Sequence, residues 1–152
     1  MPSDYTFVEN SWGNSFYKLY SDGYHKNYAG AKGQCESDGA FLAIPRSQAE
    51  NDFLMSNEVW PNGWGRESIW IGIDDIAQEG SFVAVDGSEI SWTNWATDEP
   101  KSDEGDWMDG VELVGSQSMG NTNDGRWNDQ QTGQYRKFIC SIDIEGKFFD
   151  DS

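Results

Sequence analysis

Between Ser91 and Asp129 the chain gathers carboxylates and side-chain amides inside a frame of tryptophans. The segment opens SWTNW, runs through DEPKSDEGDWMD and a Gly/Asn/Ser-rich passage, and closes on GRWND. Its oxygen donors are Asp98, Glu99, Asp103, Glu104, Asp106 and Asp109, then Glu112, Asn128 and Asp129. Asp75 and Glu79 add two more just past an apolar run, spaced so that both face one ion if the backbone there turns helically. A hard cation such as Ca2+ takes roughly six to eight oxygens from such groups. The competing reading is a solvated acidic face. No EF-hand spacing is present, and one His with two distant Cys disfavours zinc or copper.

Trp92, Trp95, Trp107 and Trp127 are either platforms for the C–H face of a sugar or packing that stands in for regular structure. Trp92 and Trp127 lie beside predicted strands and read as packing. Trp107, between Asp106 and Met108, is the more open candidate. Signals of catalysis are weak. His25 has no obvious partner and reads as a surface or satisfied histidine, and acids are too abundant for any carboxylate pair to mark glycosidase chemistry. No GxSxG, phosphate-cradling Gly loop or HExxH occurs. The chain reads as a binding protein, not an enzyme.

Charge narrows the partners. With 27 Asp+Glu against 10 Lys+Arg, the formal charge is −17, which disfavours nucleic acid and anionic membranes. Bound cations would relieve that self-repulsion. Eight Trp, six Tyr and eight Phe argue for a packed core despite a hydrophobic content of 36%. At 152 residues a single domain over 1–152 is expected, burying roughly two-thirds of its unfolded surface. No apolar run reaches membrane-span length. MPSDYTF has neither the basic nor the apolar region of a signal peptide, which leaves a cytosolic chain and a mature secreted form both open.

The elements that must position these groups are short. Phe16 to Tyr20 predicts a first strand, and Tyr28 to Glu36 a helix burying Tyr28, Ala31 and Cys35, with Gly39 as its stop. Ser47 and Glu50 form a capping box for a second helix whose buried stripe is Ala49, Phe53 and Leu54. Strands follow at Ile69–Ile73, Phe82–Ala84, Val111–Val114, Arg126–Trp127 and Lys137–Ile142. In the last, Phe138, Cys140 and Ile142 share a face, so Cys140 points inward as Cys35 does. Two inward cysteines leave a bridge or two buried thiols as alternatives. Two early helices followed by short strands and long loops make an α+β domain, not a βαβ repeat.

From Thr6 to Ile142 the sequence resembles the C-type lectin-like domain. The matching pieces, in order, are FYKLY, QCESDGAFLAIP, SQAENDFL, WIGIDD, SWTNW, EPK, VEL, WND and FIC. The resemblance implies a C-type lectin-like fold of two helices, short antiparallel strands and a long calcium-binding loop. It implies a Cys35–Cys140 disulfide and a secreted, extracellular protein. In sugar-binding members one calcium sits under the long loop, and sugar hydroxyls complete its coordination. Carried over, its ligands are Glu99, Asn128 and Asp129 around a cis-Pro100, and a second calcium falls on Asp75, Glu79 and Asp109 with Asp103 or Ser102 nearby. The expected partners are glycans, weakly of mannose or glucose type, met in microbial or cell-surface recognition, with oligomerisation possible.

Three departures bear on that expectation. Lys101 stands where the family's EPN triplet has an amide, and an ammonium has no acceptor for a metal. The glutamate that should follow falls on Met108, leaving Asp106, Glu104 or Asp109 to compensate. The family's second disulfide is missing, so ions or tryptophan packing must order the loop. The expected ligand contacts are Glu99, Lys101, Trp107 and Asn128. The alternative function is a lectin-like fold binding a protein, ice or another surface, or sugar without calcium.

Overall fold

The structure, a computed structural model, describes residues 4–10, 13–21, 23–56, 58–60, 67–97, 99–100, 109–115 and 125–143. β1 (Thr6–Asn10) and β2 (Gly13–Tyr20) precede α1 (Tyr28–Ser37), β3 (Phe41–Leu42) and α2 (Gln48–Leu54). Then come β4 (Ile69–Asp74), β5 (Val83–Ala84), β6 (Gly110–Leu113), β7 (Trp127–Gln130) and β8 (Lys137–Asp143).

Both helices are bounded by side-chain and backbone chemistry. Asn27 caps α1, its Oδ1 accepting from Gly30 N–H at 2.8 Å. At the other end Gly39 takes φ +79°, so that its N–H reaches Glu36 O and the Ala40 N–H reaches Cys35 O, closing the helix in a Schellman arrangement. Ser47 Oγ accepts from Glu50 N–H at 3.2 Å, and Glu50 Oε1 accepts from Arg46 N–H, one residue before the cap. The expected stripe of α2 needs correction. Ala49 is exposed, whereas Glu50, Asn51, Phe53 and Leu54 are buried. A seven-residue helix has too few turns for apolar spacing alone to fix its inner face.

One sheet joins the strands in the order β1-β2-β8-β4-β6-β7, with β3 beside β8 and β5 beside β4. It is mixed, not antiparallel throughout: β4 runs parallel to β8 through Ile69↔Lys137 and Trp70↔Phe138. No hairpin can close a parallel pair. Here the crossover is the whole stretch from Asp75 to Arg136, which contains the acidic segment.

That sheet is covered on both faces. Ile69, Ile71 and Ile73 of β4 pack with Leu54, Trp60, Val111 and Trp127, while Trp70 packs with Tyr28, Cys35, Phe138 and Cys140. A strand covered on both sides reads as a continuous apolar run, which is why IWIGI stands out in the sequence. Each large side chain so buried contributes about 1.5–3 kcal/mol. Gly72 is required where β4 passes under β3, because a Cβ there would lie 2.5 Å from Leu42 O. Cys35 and Cys140 form a disulfide with Cα atoms 5.4 Å apart, tying α1 to β8.

Candidate functional site

Three side chains, those of Trp92, Trp95 and Asn51, converge on Trp127 at the loop stem. Its indole is fully buried, with Trp92 and Trp95 meeting it edge-on at centroid distances of 5.6 Å each. Phe82 in turn meets Trp95 at 5.0 Å. Trp92 and Trp127 are therefore packing, as expected, and Trp95 joins them. Polar bonds complete the stem. Asn51 of α2 accepts from the Trp127 indole N–H at 2.9 Å and donates to Gly125 O at 2.8 Å. Asn94 donates to the same carbonyl at 2.8 Å. Tryptophan packing and two buried amides thus fasten both ends of the loop without a second disulfide. Neither amide was singled out from sequence; the signal was an asparagine on the inner side of α2 and another inside SWTNW.

The same stem joins the segments that carry Glu99 and Asn128–Asp129. Residues 94–96 lie parallel to β7, with Trp127 N–H bonded to Asn94 O and Ala96 N–H to Trp127 O. Beyond Ala96 the chain turns, Glu99 N–H closing on Ala96 O at 3.1 Å, and enters a cis Glu99–Pro100 peptide. Asn128 and Asp129 follow Trp127 directly along β7. Asp129 is 3% exposed, and Oδ2 of Asp129 and Oε1 of Glu99 are both withdrawn from solvent. Two carboxylates and an amide form a donor set suited to a hard cation. Lys101, Asp103, Asp106 and Trp107 lie outside the described residues, as do Asp98 and Glu104.

A second set is fully described. Carboxylate oxygens of Asp75, Glu79 and Asp109 all lie within 4.8 Å of one another. Among the described residues no other three acids, histidines or cysteines gather so closely. The backbone between Asp75 and Glu79 runs through bends into a turn, not the helical turn that the i, i+4 spacing suggested. A register shift between β4 and β6 at Ile71/Asp74 reorients the chain there, and Asp75 N–H then bonds Asp109 O at 3.1 Å.

Asp74 and Asp75 divide their tasks. Asp74 is committed to the fold, accepting from Tyr28 Oη at 2.6 Å and from Ile76 N–H at 3.2 Å. Burial and the charge of Asp74 push the Tyr28 phenol far above its ordinary range, so it stays a donor. Asp75 is 1% exposed; its Oδ2 accepts from Gly80 N–H at 2.8 Å, while its buried Oδ1 takes no hydrogen bond. A buried carboxylate oxygen without a donor costs about 1–3 kcal/mol or more, and two further carboxylates nearby raise that cost. A divalent cation would satisfy it. These residues fit a calcium ion on that ground.

Glu112, counted above among the oxygen donors, is engaged otherwise. It is an ion-pair partner of Arg136, whose Nε lies 3.0 Å from Oε1. His25 also has a partner, its Nε2 lying 3.4 Å from Glu67 Oε1. A groove of about 580 Å³ opens between β1, β2 and the segment after α2, lined by Phe7, Val8, Tyr17, Leu19, Phe53 and Val59. Its cation, Lys18, is paired with Asp4 at 3.1 Å, and neither ligand set borders it.

A family model of the lectin C-type domain matches residues 24–142. Collectin-10 of Mus musculus is 31% identical over 128 residues, covering 84% of this chain and 41% of that protein. The chain thus spans less than half the length of that relative. Among solved structures, the mouse scavenger receptor C-type lectin carbohydrate-recognition domain is similar with a TM-score of 0.71 at 26% identity, over 95% of this chain and 99% of that one. A calcium-independent type II antifreeze protein matches with a TM-score of 0.74 at 17% identity, over 94% of each chain, which is a likeness of fold alone.

Proposed function

The chain belongs to the C-type lectin domain family, and from that premise we propose that it is a calcium-dependent carbohydrate-binding domain. Members of this family are binding domains and not catalysts. The observation that supports the reading is that the segment leading to Glu99 is bonded to Trp127, next to Asn128 and Asp129, with Glu99 Oε1 and Asp129 Oδ2 both withdrawn from solvent. Bound to these three, calcium supplies coordination positions for two neighbouring sugar hydroxyls. Glu99 accepts a hydrogen bond from one hydroxyl, Asn128 bonds the other, and Trp107 offers an apolar face to the ring. Asp75, Glu79 and Asp109 would hold a second calcium, with Asp103 proposed as a further ligand. Asp106 is the acid proposed to replace the glutamate displaced by Met108. Lys101 leaves the metal and meets an anionic group on the glycan.

The disulfide belongs to an oxidising compartment, which supports a secreted or extracellular protein acting in microbial or cell-surface recognition. Among the described residues no helix is long and apolar enough to cross a membrane. Clustering of several copies of this domain would raise weak single-site affinity.

A second reading, recognition of a protein, ice or other surface, or of sugar without calcium, draws on Lys101 and Met108. A panel of immobilised glycans probed with and without chelator separates the two. Retention on mannose- or glucose-type glycans that disappears in chelator is expected; retention unchanged by chelator favours the second reading.

A further inference from the structure

Glu112 and Asn128 are direct partners across β6 and β7, and Trp70 of β4 is the partner of Glu112 on its other side. Glu112 is 5% exposed. Its Oε1 accepts from Arg136 Nε at 3.0 Å, and its Oε2 faces Asn128 Nδ2 at 3.4 Å and Gln130 Nε2 at 3.3 Å. Arg136 is itself held: its backbone N–H and C=O are paired with Lys26, its Nη1 donates to Tyr135 O, and its guanidinium lies 5.9 Å from the Trp70 ring centroid. A fixed cation thus fixes the carboxylate, and the carboxylate faces an amide.

We propose that Glu112 is a positioning residue that selects which end of the Asn128 amide is presented to a cation. An ionised carboxylate accepts and cannot donate, while an asparagine has a donor end and an acceptor end of nearly the same shape. Turned the other way, Asn128 would set Oδ1 against Oε2 of the buried Glu112 carboxylate, two acceptors facing each other with no proton between them. Glu112 therefore holds Nδ2 toward itself and leaves Oδ1 as the end available for ligation, the only end that can serve a metal. Gln130, two residues along the same face, gives its Nε2 to the same oxygen and supports the same polarity. Such outer partners of metal ligands change affinity by about 10- to 100-fold when removed. The inference rests on the role proposed above for Asn128.

The test compares Glu112→Gln with the unaltered protein in two ways. In metal-free protein, the side-chain NH2 signals of Asn128, identified by their loss in Asn128→Asp, are followed by NMR. Because Arg136 keeps the oxygen of the introduced amide, the new NH2 group should face Asn128, reverse the Asn128 amide, and shift and deprotect its two protons. Calcium affinity at Glu99, Asn128 and Asp129 should then fall about 10- to 100-fold. In the Asn128→Asp background the same change should cost less than about threefold, since a carboxylate has two equivalent oxygens. Unmoved Asn128 NH2 signals, or an equal loss of affinity in both backgrounds, would overturn the proposal. A protein that takes up no calcium there would overturn the functional reading alone, and the NMR comparison would still decide what Glu112 holds.

Discussion

The indole N–H of Trp127 donates to Asn51 Oδ1 at 2.9 Å, joining β7 to α2 across a sequence separation of 76 residues. Asn51 returns a bond to Gly125 O, so one buried amide of a short helix closes the exit of the acidic loop. Replacing it by Leu keeps the volume but strands the indole N–H and removes one of two donors from Gly125. The expected cost is about 2–4 kcal/mol, from one buried unsatisfied donor and one lost hydrogen bond. Urea unfolding of Asn51→Leu with an unchanged m-value reads this directly; a loss below about 1 kcal/mol would show that Asn51 does not fasten the stem.

Acid stability should report on Asp38. Burial opposes its ionisation, but donation from Tyr20 at 2.6 Å, Tyr5 at 2.9 Å and Gln34 at 3.1 Å, with the charge of Lys18, holds its carboxyl below the usual range. A carboxylate with a depressed folded value stabilises the fold above its unfolded value of about 3.9 and loses that contribution as pH falls through the folded one. Asp86, depressed by Ser88 and Arg46 against its own burial, acts in the same window. Asp38→Asn should flatten the fall in stability below about pH 4 relative to the unaltered protein. Equal slopes in the two proteins would exclude Asp38 as a contributor.

Much of this arrangement could be read from residues, and the gaps have physical causes. Ile69–Ile73, the body of β4, was legible because both its faces are buried, and Ser47 because a cap has a fixed chemistry. Glu99, Asn128, Asp129, Asp75, Glu79 and Asp109 were all named before any geometry, on composition and the family resemblance together. β1 and β3 were not read: Thr6–Asn10 alternates too weakly, and Phe41–Leu42 is two residues held by β8. The parallel β4–β8 pairing leaves no local signal, since direction between distant strands is a property of the crossover. Asn51 was passed over for Ala49 because apolar spacing ignores amides that find partners inside.

Asp75 offers a sharper check on the second ligand set. In chelator, Asp75→Asn should match or exceed the unaltered protein in melting temperature, because it removes one of three crowded charges. With calcium at about 100 times its dissociation constant, the unaltered protein should gain about 2.7 kcal/mol. The variant should lose most of that gain. An equal calcium-induced rise in both proteins would remove Asp75 from the site.

Lys101→Asn restores an amide to the EPK triplet. The expected outcome is tighter calcium binding and a gained or broadened calcium-dependent affinity for glycans. Unchanged calcium affinity and glycan selectivity would show that Lys101 already stands outside the coordination sphere.

The most direct measurement is a calorimetric calcium titration of metal-free protein, run on the unaltered chain and on Glu99→Gln, each followed by glycan retention in calcium. The unaltered chain should release heat at two sites and retain glycan, while Glu99→Gln should keep the Asp75–Glu79–Asp109 site, lose the other and release the glycan. No heat from calcium in the unaltered chain, or glycan retained undiminished by Glu99→Gln, would contradict calcium-dependent sugar binding at the loop.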